Sequence, residues 1–202
     1  MKRTAHDAYR SALTEVITRV QAQLRDAQPD ALPIQMYIAG GAALHILTGE
    51  RVTEDVDATF SRRVLFSDDI EVSYRDPDGR ARIVYLDRTY NDTLGLLHEN
   101  ACKDSKQVDI PGIESNLIDV RILSPLDLAV SKLGRFSDQD RDDVELLAKN
   151  GLINATDLRK RAAEALQACV GDTRSVRSSI DIACQIVESL TPKRRTRTGT
   201  RK

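Results

Sequence analysis

The chain contains 202 residues with a formal net charge of −1, and 41% of them are hydrophobic. This length can bury a real core, either as one domain or as a core with a small appended part. No stretch approaches the roughly eighteen apolar residues of a membrane-spanning helix, and the N-terminus lacks the apolar run of a signal peptide. The three cysteines are widely spaced and form no Cys-x-x-Cys pair, which argues against a disulfide framework or a zinc site and favours a reduced, cytoplasmic environment.

The N-terminal segment predicts an amphipathic helix that packs on the core. Over residues 4–27, apolar side chains recur at the spacing of one helix face. They are Tyr9, Leu13, Val16, Ile17, Val20 and Leu24. Pro29 and Pro33 follow, and a helix seldom continues past a proline. The apolar run over residues 34–39 then predicts the first core strand.

A glycine pair and a short helix follow this strand. Gly40 and Gly41 precede residues 42–47, which predict an amphipathic helix. Glycines in this position bring bare backbone N–H groups to the helix N-terminus, where phosphate binds well. No Gly-Lys-Ser/Thr sequence follows, so the pair is not part of a P-loop, and the Gly-x-Gly-x-x-Gly pattern of dinucleotide-binding turns is absent. The segment therefore predicts a phosphate-binding turn.

Two aspartates stand on the next predicted strand. Asp55 and Asp57 lie two apart in a run rich in β-branched residues, so a strand would project both carboxylates from one face. Mg²⁺ prefers oxygen ligands and commonly bridges one or two carboxylates to substrate phosphates. Asp-x-Asp alone is weakly specific, and the chain repeats it from Asp76 and from Asp140. The order of strand, glycine pair, helix and Asp-x-Asp strand favours a metal-assisted phosphoryl-transfer site. The alternative is an ordinary turn with solvated aspartates.

The middle of the chain predicts a hairpin and a buried strand. Within residues 70–86, two runs of strand character flank a strong turn signal, and Asp87 ends the second run. This hairpin would extend the sheet. Residues 117–123 predict a buried strand in which Asp119 and Arg121 alternate with aliphatic neighbours.

Helices are predicted from Ser124 onward. Ser124 is a cap followed by proline, which predicts a helix over residues 125–136, and Ser137 caps a second helix that ends at residues 150–151. Two more helices are predicted from apolar faces, the first formed by Leu158, Ala162, Ala165, Leu166 and Cys169 and the second by Val176, Ile180, Ala183, Val187 and Leu190.

These patterns divide the chain into three parts. We expect an α/β core with its N-terminal helix over residues 1–123, a helical part over 124–190 and a disordered tail over 191–202. The tail contains six basic residues and no acidic one. It would either bind nucleic acid by neutralising phosphates or serve only as a solubilising segment.

The glycine pair, the helix and the run Arg51-x-Thr53-x-Asp55-x-Asp57 together resemble the signature of the polymerase-β-like nucleotidyltransferase superfamily. Residues 124–147 look like the later motif of a bacterial branch. That branch includes nucleotidyltransferase toxins of type IV toxin-antitoxin systems and relatives of unassigned function. The resemblance covers about residues 37–152. It implies a fold of the α/β (α+β) class, with a mixed β-sheet core, flanking helices and a helical C-terminal part.

The resemblance also implies roles for individual residues. Asp55 and Asp57 would bind Mg²⁺, with Mn²⁺ as the alternative ion, in a site of the two-metal type. Superfamily members usually carry a third acidic residue on a strand beside the Asp-x-Asp strand, where it helps hold the catalytic metal and can accept the proton of the attacking hydroxyl. We assign that catalytic role to Asp119, with Asp87 as its rival. The alternative is that Asp119 only pairs with an arginine such as Arg121 or Arg135.

Nucleotide-binding roles fall to the glycine pair, the Asp-x-Asp strand and the helices after Ser124. The residues concerned are Gly40, Gly41, Arg51, Thr53, Lys132 and Asp140. Lys132 matches a lysine of the later motif and would hold triphosphate charge as it develops in the transition state. A surface lysine is the alternative. Asp140 matches an aspartate of that motif, although four aspartates crowd residues 138–143.

The function implied is transfer of a nucleotidyl group from a nucleoside triphosphate to an acceptor hydroxyl. Superfamily members modify RNA ends, proteins and small molecules, and the fold does not choose among them. A tRNA-modifying toxin with a cognate antitoxin or operon partner is the specific expectation. A non-catalytic module of the same fold, which binds nucleotide, RNA or a partner protein, is the alternative.

Overall fold

A computed structural model describes residues 5–27, 32–89, 96–169 and 171–190. Their α-helices and strands, in chain order, are α1 (Ala5–Ala27), β1 (Ile34–Ile38), α2 (Gly40–Thr48), β2 (Asp55–Phe60), β3 (Glu71–Arg75), β4 (Ala81–Asp87), β5 (Lys106–Gln107), β6 (Ile118–Ile122), α3 (Pro125–Ser131), α4 (Asp138–Lys149), α5 (Ala155–Ala165) and α6 (Arg174–Leu190). They form an α+β fold, which confirms the predicted fold class. The basic tail lies outside the described residues.

The six strands form one mixed sheet in the order β3-β4-β2-β1-β6-β5. In its interior, β1 pairs antiparallel with β2 and parallel with β6. On the other side of β2, β4 runs parallel to it. The predicted hairpin is confirmed, because β3 and β4 are antiparallel and Arg75 lies opposite Ala81 across the turn.

The sheet has an apolar face and a polar face. Alternate residues of β1, β2, β4 and β6 are buried in the core, as expected when side chains alternate between faces along a strand. The strand registers place the intervening residues on the opposite face, and these are Gln35, Tyr37, Asp55, Asp57, Thr59, Tyr85, Asp87, Asp119 and Arg121. The polar face therefore carries the candidate carboxylates.

The helices cover the sheet and pack on one another. α1 contacts β3 and β4, and all six of its predicted apolar positions are buried. α2 packs on β2 and also contacts α3 and α4, while α5 and α6 pack against α3 and α4 respectively. None of the helices in the described ranges has both the length and the apolarity needed to cross a membrane.

A buried ion pair joins α3 to α5. Arg161 donates hydrogen bonds of 2.7 and 3.0 Å to the two carboxylate oxygens of Asp127. Asp127 is 1% exposed. A buried carboxylate is tolerated only when it is paired and hydrogen-bonded, so this contact fixes how the C-terminal helices sit on one another.

Two helix boundaries near the glycine pair and Lys132 differ from the prediction. α2 begins at Gly40, so the glycine pair forms its first turn rather than preceding it. The helix predicted to reach residue 136 ends at Ser131, and residues 132–135 form turns. Phe136 then adopts a left-handed φ of 50°, which a right-handed helix cannot include.

The apolar face predicted to include Cys169 is shorter than expected. α5 ends at Ala165, and a 3-10 turn over Leu166–Ala168 follows. This change of helix type rotates the next residue away from the core, and Cys169 is exposed.

Candidate active site

The glycine pair packs directly against the Asp-x-Asp strand and the residues before it. A β-carbon on Gly40 would lie 1.8 Å from Oδ2 of Asp57, and one on Gly41 would lie 2.9 Å from the β-carbon of Thr53. Gly40 also has a φ of +57°, which residues with side chains rarely adopt. Both positions therefore require glycine, which explains in contact terms why the pair accompanies the Thr-x-Asp-x-Asp run.

The start of α2 faces the same carboxylates. The N-cap residue Ala39 has no side-chain acceptor for the first amides of the helix, and its own backbone N–H donates to the carbonyl of Asp57. The N-terminus of a helix has unsatisfied N–H groups and a partial positive charge. This end of α2 is therefore chemically suited to a phosphate.

Three carboxylates occupy neighbouring positions on the paired strands β2 and β4. Asp55 and Asp57 project from the same face, and Asp87 lies opposite Asp57 in the register of the two parallel strands. The Thr53 hydroxyl donates to Asp55, and Asp87 accepts hydrogen bonds from the amide and hydroxyl of Thr89. These hydrogen bonds hold the side chains of Asp55, at the start of β2, and Asp87, at the end of β4, in place.

The pKa of Asp57 is well above the ordinary value of an aspartate. Burial and then the neighbouring Asp55 charge raise its pKa from 3.8 to about 6, and Asp87 adds a smaller effect in the same direction. Lys132 and Arg135 act in the opposite direction. The two cations therefore do not fully offset burial and the neighbouring negative charges at Asp57.

The turn between α3 and α4 carries the cations that face Asp57. Lys132 lies in a polar pocket with 13% of its side chain exposed, and its Nζ is 2.8 Å from Oδ2 of Asp143. Arg135 donates to both oxygens of Asp140, at 2.9 and 3.0 Å, while 76% of its side chain remains exposed. The turn therefore presents two anchored positive charges to the carboxylate cluster.

Asp143 connects Lys132 to Arg51. Its Oδ1 is 3.3 Å from Nε of Arg51, and the carboxylate is 2% exposed. Distances at both oxygens fit ion pairs, although the angles at Oδ2 and at Nε do not fit good hydrogen bonds. Arg51 therefore supports the Lys132 side of the cluster through Asp143.

Asp140 is placed as a support for the cations rather than as an open ligand. It completes a capping box with Ser137 at the start of α4 and is 2% exposed. Burial acts to raise its pKa, but hydrogen bonds from Arg135 and Ser137 outweigh burial and hold the pKa below its ordinary value. Its side chain is already committed to partners on this turn.

Asp119 is not brought to the other carboxylates. The expectation that its strand adjoins the Asp-x-Asp strand is wrong, because β1 lies between β6 and β2. Asp119 is the register partner of Gln35 on β1. Asp57 lies beside Ala39, which is four residues further along the chain. Asp119 and Asp57 are therefore separated by about 13 Å along the strand direction, in addition to the width of β1. It lies 3.1 Å from Nη1 of Arg121, as in the alternative interpretation. Asp87 occupies the position that was expected for Asp119.

Arg135 and Asp143 belong to this cluster, although neither was predicted to be a site residue. A signal for Asp143 was present, because residues three apart on a helix share a face and Asp140-x-x-Asp143 therefore aims both carboxylates at the preceding turn. No comparable signal existed for Arg135, since its orientation depends on where α3 ends.

The donor set fits a magnesium ion. The described ranges contain no preassembled group of three or more His, Cys, Asp or Glu side chains that could hold a metal by themselves. Mg²⁺ needs fewer protein ligands, because it keeps several waters and shares substrate phosphates with one or two carboxylates. Burial and then the Asp55 charge raise the pKa of Asp57, and a divalent cation bound there would favour its charged form.

A mixed sheet whose glycine pair packs on an Asp-x-Asp strand is consistent with the core of a nucleotidyltransferase. The model of the family described as "Nucleotidyltransferase of unknown function (DUF6036)" matches residues 15–188, and the chain belongs to that family. This membership confirms the superfamily expected from the sequence. No curated protein and no solved structure matches the chain.

Proposed function

We propose that the protein is a magnesium-dependent nucleotidyltransferase that moves a nucleotidyl group from a nucleoside triphosphate to an acceptor hydroxyl. The observation that carries the proposal is the contact of Gly40 with Asp57 and of Gly41 with Thr53. This contact joins a helix N-terminus, which suits phosphate, to a carboxylate pair, which suits a divalent cation. The two halves of a metal-triphosphate site are thus adjacent.

The donor triphosphate would lie between the start of α2 and the turn after α3. The amides of Gly40 and Gly41 would contact its phosphates, and Lys132 and Arg135 would neutralise charge that develops on the leaving group. Asp55 and Asp57 would hold Mg²⁺, which supplies Lewis-acid stabilisation of the phosphate oxygens. Arg51 and Asp140 would act indirectly, by holding the lysine and arginine in place.

The chemical step is a substitution at phosphorus. The acceptor oxygen forms a bond to the α-phosphorus, and the bond from that phosphorus to the oxygen bridging the α- and β-phosphates breaks. Pyrophosphate leaves with the electron pair of that bond. Asp87 would accept the proton of the attacking hydroxyl, because it is the register partner of Asp57 on the neighbouring strand.

For the acceptor we propose tRNA or another RNA, and for the biological role a toxin with a cognate antitoxin or operon partner. The support is the likeness of residues 124–147 to the toxin-branch motif and the basic composition of residues 191–202. Phosphate neutralisation by such a tail favours polyanionic partners.

Label transfer tests the activity. The protein is incubated with each α-labelled nucleoside triphosphate, Mg²⁺ and total tRNA, and the wild type is compared with Asp55→Ala/Asp57→Ala. Labelled RNA that the double variant does not produce is the expected result. Labelled protein in place of RNA would contradict the RNA acceptor. An unlabelled sample, with triphosphate binding equal in both proteins, would refute catalysis at this pair and favour a non-catalytic nucleotide-binding module.

A further inference from the structure

His45 is a buried titratable side chain that the function proposed above does not use. It stands on α2, one turn after Gly41, and is 1% exposed. Two rings of α1 contact its imidazole. The His6 ring stacks on it with centroids 5.9 Å apart, and the Tyr9 ring packs edge to face on it at 4.6 Å. The imidazole is therefore enclosed between α1 and α2.

One hydrogen bond fixes the orientation of this ring. Nδ1 of His45 lies 2.6 Å from the backbone carbonyl oxygen of Arg51. A carbonyl can only accept a hydrogen bond, so Nδ1 carries the ring proton and donates it. Burial lowers the pKa of His45, although the hydrogen bond to Arg51 acts in the opposite direction. The ring is therefore neutral near pH 7, with its proton on Nδ1.

The other ring nitrogen argues against a role in packing alone. Nε2 of His45 is buried and has no hydrogen-bond partner among the described residues. An unpaired buried polar atom destabilises a fold, and an aliphatic side chain at this position would avoid that cost. The contact that an aliphatic side chain could not make is the hydrogen bond to Arg51.

The segment that accepts this hydrogen bond lacks regular secondary structure. Residues 49–54 connect α2 to β2, so individual contacts rather than a ladder of backbone hydrogen bonds set their path. The His45 side chain holds the middle of the segment. At its end, the carbonyl of Glu54 accepts a 2.8 Å hydrogen bond from the amide of Tyr85 on β4. Loss of the His45 contact would let residues 50–53 shift.

Both halves of the proposed site depend on this segment. The Thr53 hydroxyl donates to the carboxylate of Asp55. Nε of Arg51 lies 3.3 Å from Oδ1 of Asp143, whose Oδ2 is 2.8 Å from Nζ of Lys132. A shift of the segment would therefore displace a carboxylate proposed for the metal and a cation proposed for the triphosphate together.

We propose that His45 is a positioning residue, whose Nδ1–H holds the segment from Arg51 to Thr53 and thereby aligns Asp55 with Lys132 across the site. Its effect passes to Asp55 through the Thr53 hydroxyl and to Lys132 through the Arg51 side chain. The proposal rests on the nucleotidyltransferase function proposed above. It adds a residue outside the recognised motif that sets the geometry of both halves of the site.

Two substitutions separate the hydrogen bond from packing. Leucine and asparagine branch at the same carbon, and the asparagine amide can occupy the position of Nδ1, where leucine has only a methyl group. Leucine suits a buried site better, so His45→Leu should be at least as stable in urea as His45→Asn. The proposal predicts the reverse order for function.

Binding of Mn²⁺ alone, followed by the relaxation rate of water protons, reports the position of Asp55. We expect His45→Leu to weaken Mn²⁺ affinity about tenfold or more, and His45→Asn to stay within about threefold of the wild type. Gln21→Leu is the control, because Gln21 is a buried side chain on α1 that accepts a hydrogen bond from the backbone amide of Glu114. The control should change the affinity less than about twofold.

Three results would overturn the positioning role. They are wild-type Mn²⁺ affinity in His45→Leu, equal losses in His45→Leu and His45→Asn, and equal losses in His45→Leu and Gln21→Leu. Amide hydrogen exchange of residues 49–54 tests the contact independently of the proposed function. Faster exchange in His45→Leu but not in His45→Asn, with a wild type that binds no Mn²⁺, would support the contact and overturn the proposed function instead.

Discussion

Replacing Asp57 by asparagine should stabilise the metal-free protein near neutral pH. Burial and the Asp55 charge raise the pKa of Asp57 from 3.8 to about 6, so the folded state disfavours the charged carboxylate that the unfolded chain carries freely. Each pKa unit corresponds to about 1.4 kcal/mol. Above pH 6, the charged Asp57 carboxylate therefore lowers the free energy of unfolding by at most about 3 kcal/mol. Solvent screening at this partly exposed site reduces the effect, so we expect roughly 1–3 kcal/mol.

The sign of this effect depends on pH. A carboxyl group with a raised pKa in the folded state destabilises that state as pH rises from 3.8 to about 6, and the full loss persists above that range. Asparagine has a similar shape and no charge, so Asp57→Asn should gain roughly 1–3 kcal/mol at pH 7.5 and only about 0.5 kcal/mol or less at pH 4. Saturating Mg²⁺ should reduce the gain, because it stabilises only the wild type.

Urea denaturation followed by circular dichroism measures this difference. Wild type and Asp57→Asn are compared between pH 4 and pH 8 in a chelator and again in Mg²⁺, with Asp78→Asn in the exposed β3–β4 turn as the control. Equal or lower stability of Asp57→Asn at pH 7.5 would refute the electrostatic argument. A gain that stays constant down to pH 4 would refute it as well.

Three further substitutions test two positions of the site and one buried ion pair of the fold. Gly40→Ala places a β-carbon 1.8 Å from Asp57, so it should abolish label transfer and cost more stability than Gly49→Ala, where φ is +75° and no atom lies within 4 Å. Lys132→Met should lower kcat for transfer about 100-fold with little change in acceptor affinity, as steady-state kinetics would show; a normal kcat would contradict its role. Arg161→Met leaves a buried carboxylate unpaired and should lower the free energy of unfolding by about 3–5 kcal/mol in urea; a loss below about 1 kcal/mol would contradict the burial argument.

Local patterns predicted the elements of the site well. The β-branched run with alternating aspartates predicted a strand with both carboxylates on one face, and β2 places Asp55 and Asp57 on the polar face. The glycine pair was predicted to lie at a helix N-terminus, where it is found. These features depend on neighbours within a few residues, which the sequence displays directly.

Strand order was the part that local patterns could not supply. Asp87 and Asp119 both stand on strands of the correct type, and only the sheet order decides which one adjoins Asp57. That order depends on which hydrophobic faces pack together across the whole chain. The end of α3 was missed for a related reason, because Phe136 is buried in a left-handed conformation that tertiary packing must enforce.

The proposed assignment of the reaction centre to the carboxylates of β2 and β4 is tested most directly by the rate of label transfer in two matched variants. Asp87→Asn and Asp119→Asn make the same chemical change on two strands of one sheet. The structure predicts that Asp87→Asn lowers the rate about 100-fold or more, while Asp119→Asn, whose partner is Arg121, stays within about threefold of wild type. Loss of transfer in Asp119→Asn together with normal transfer in Asp87→Asn would contradict the assignment of the reaction centre to β2 and β4.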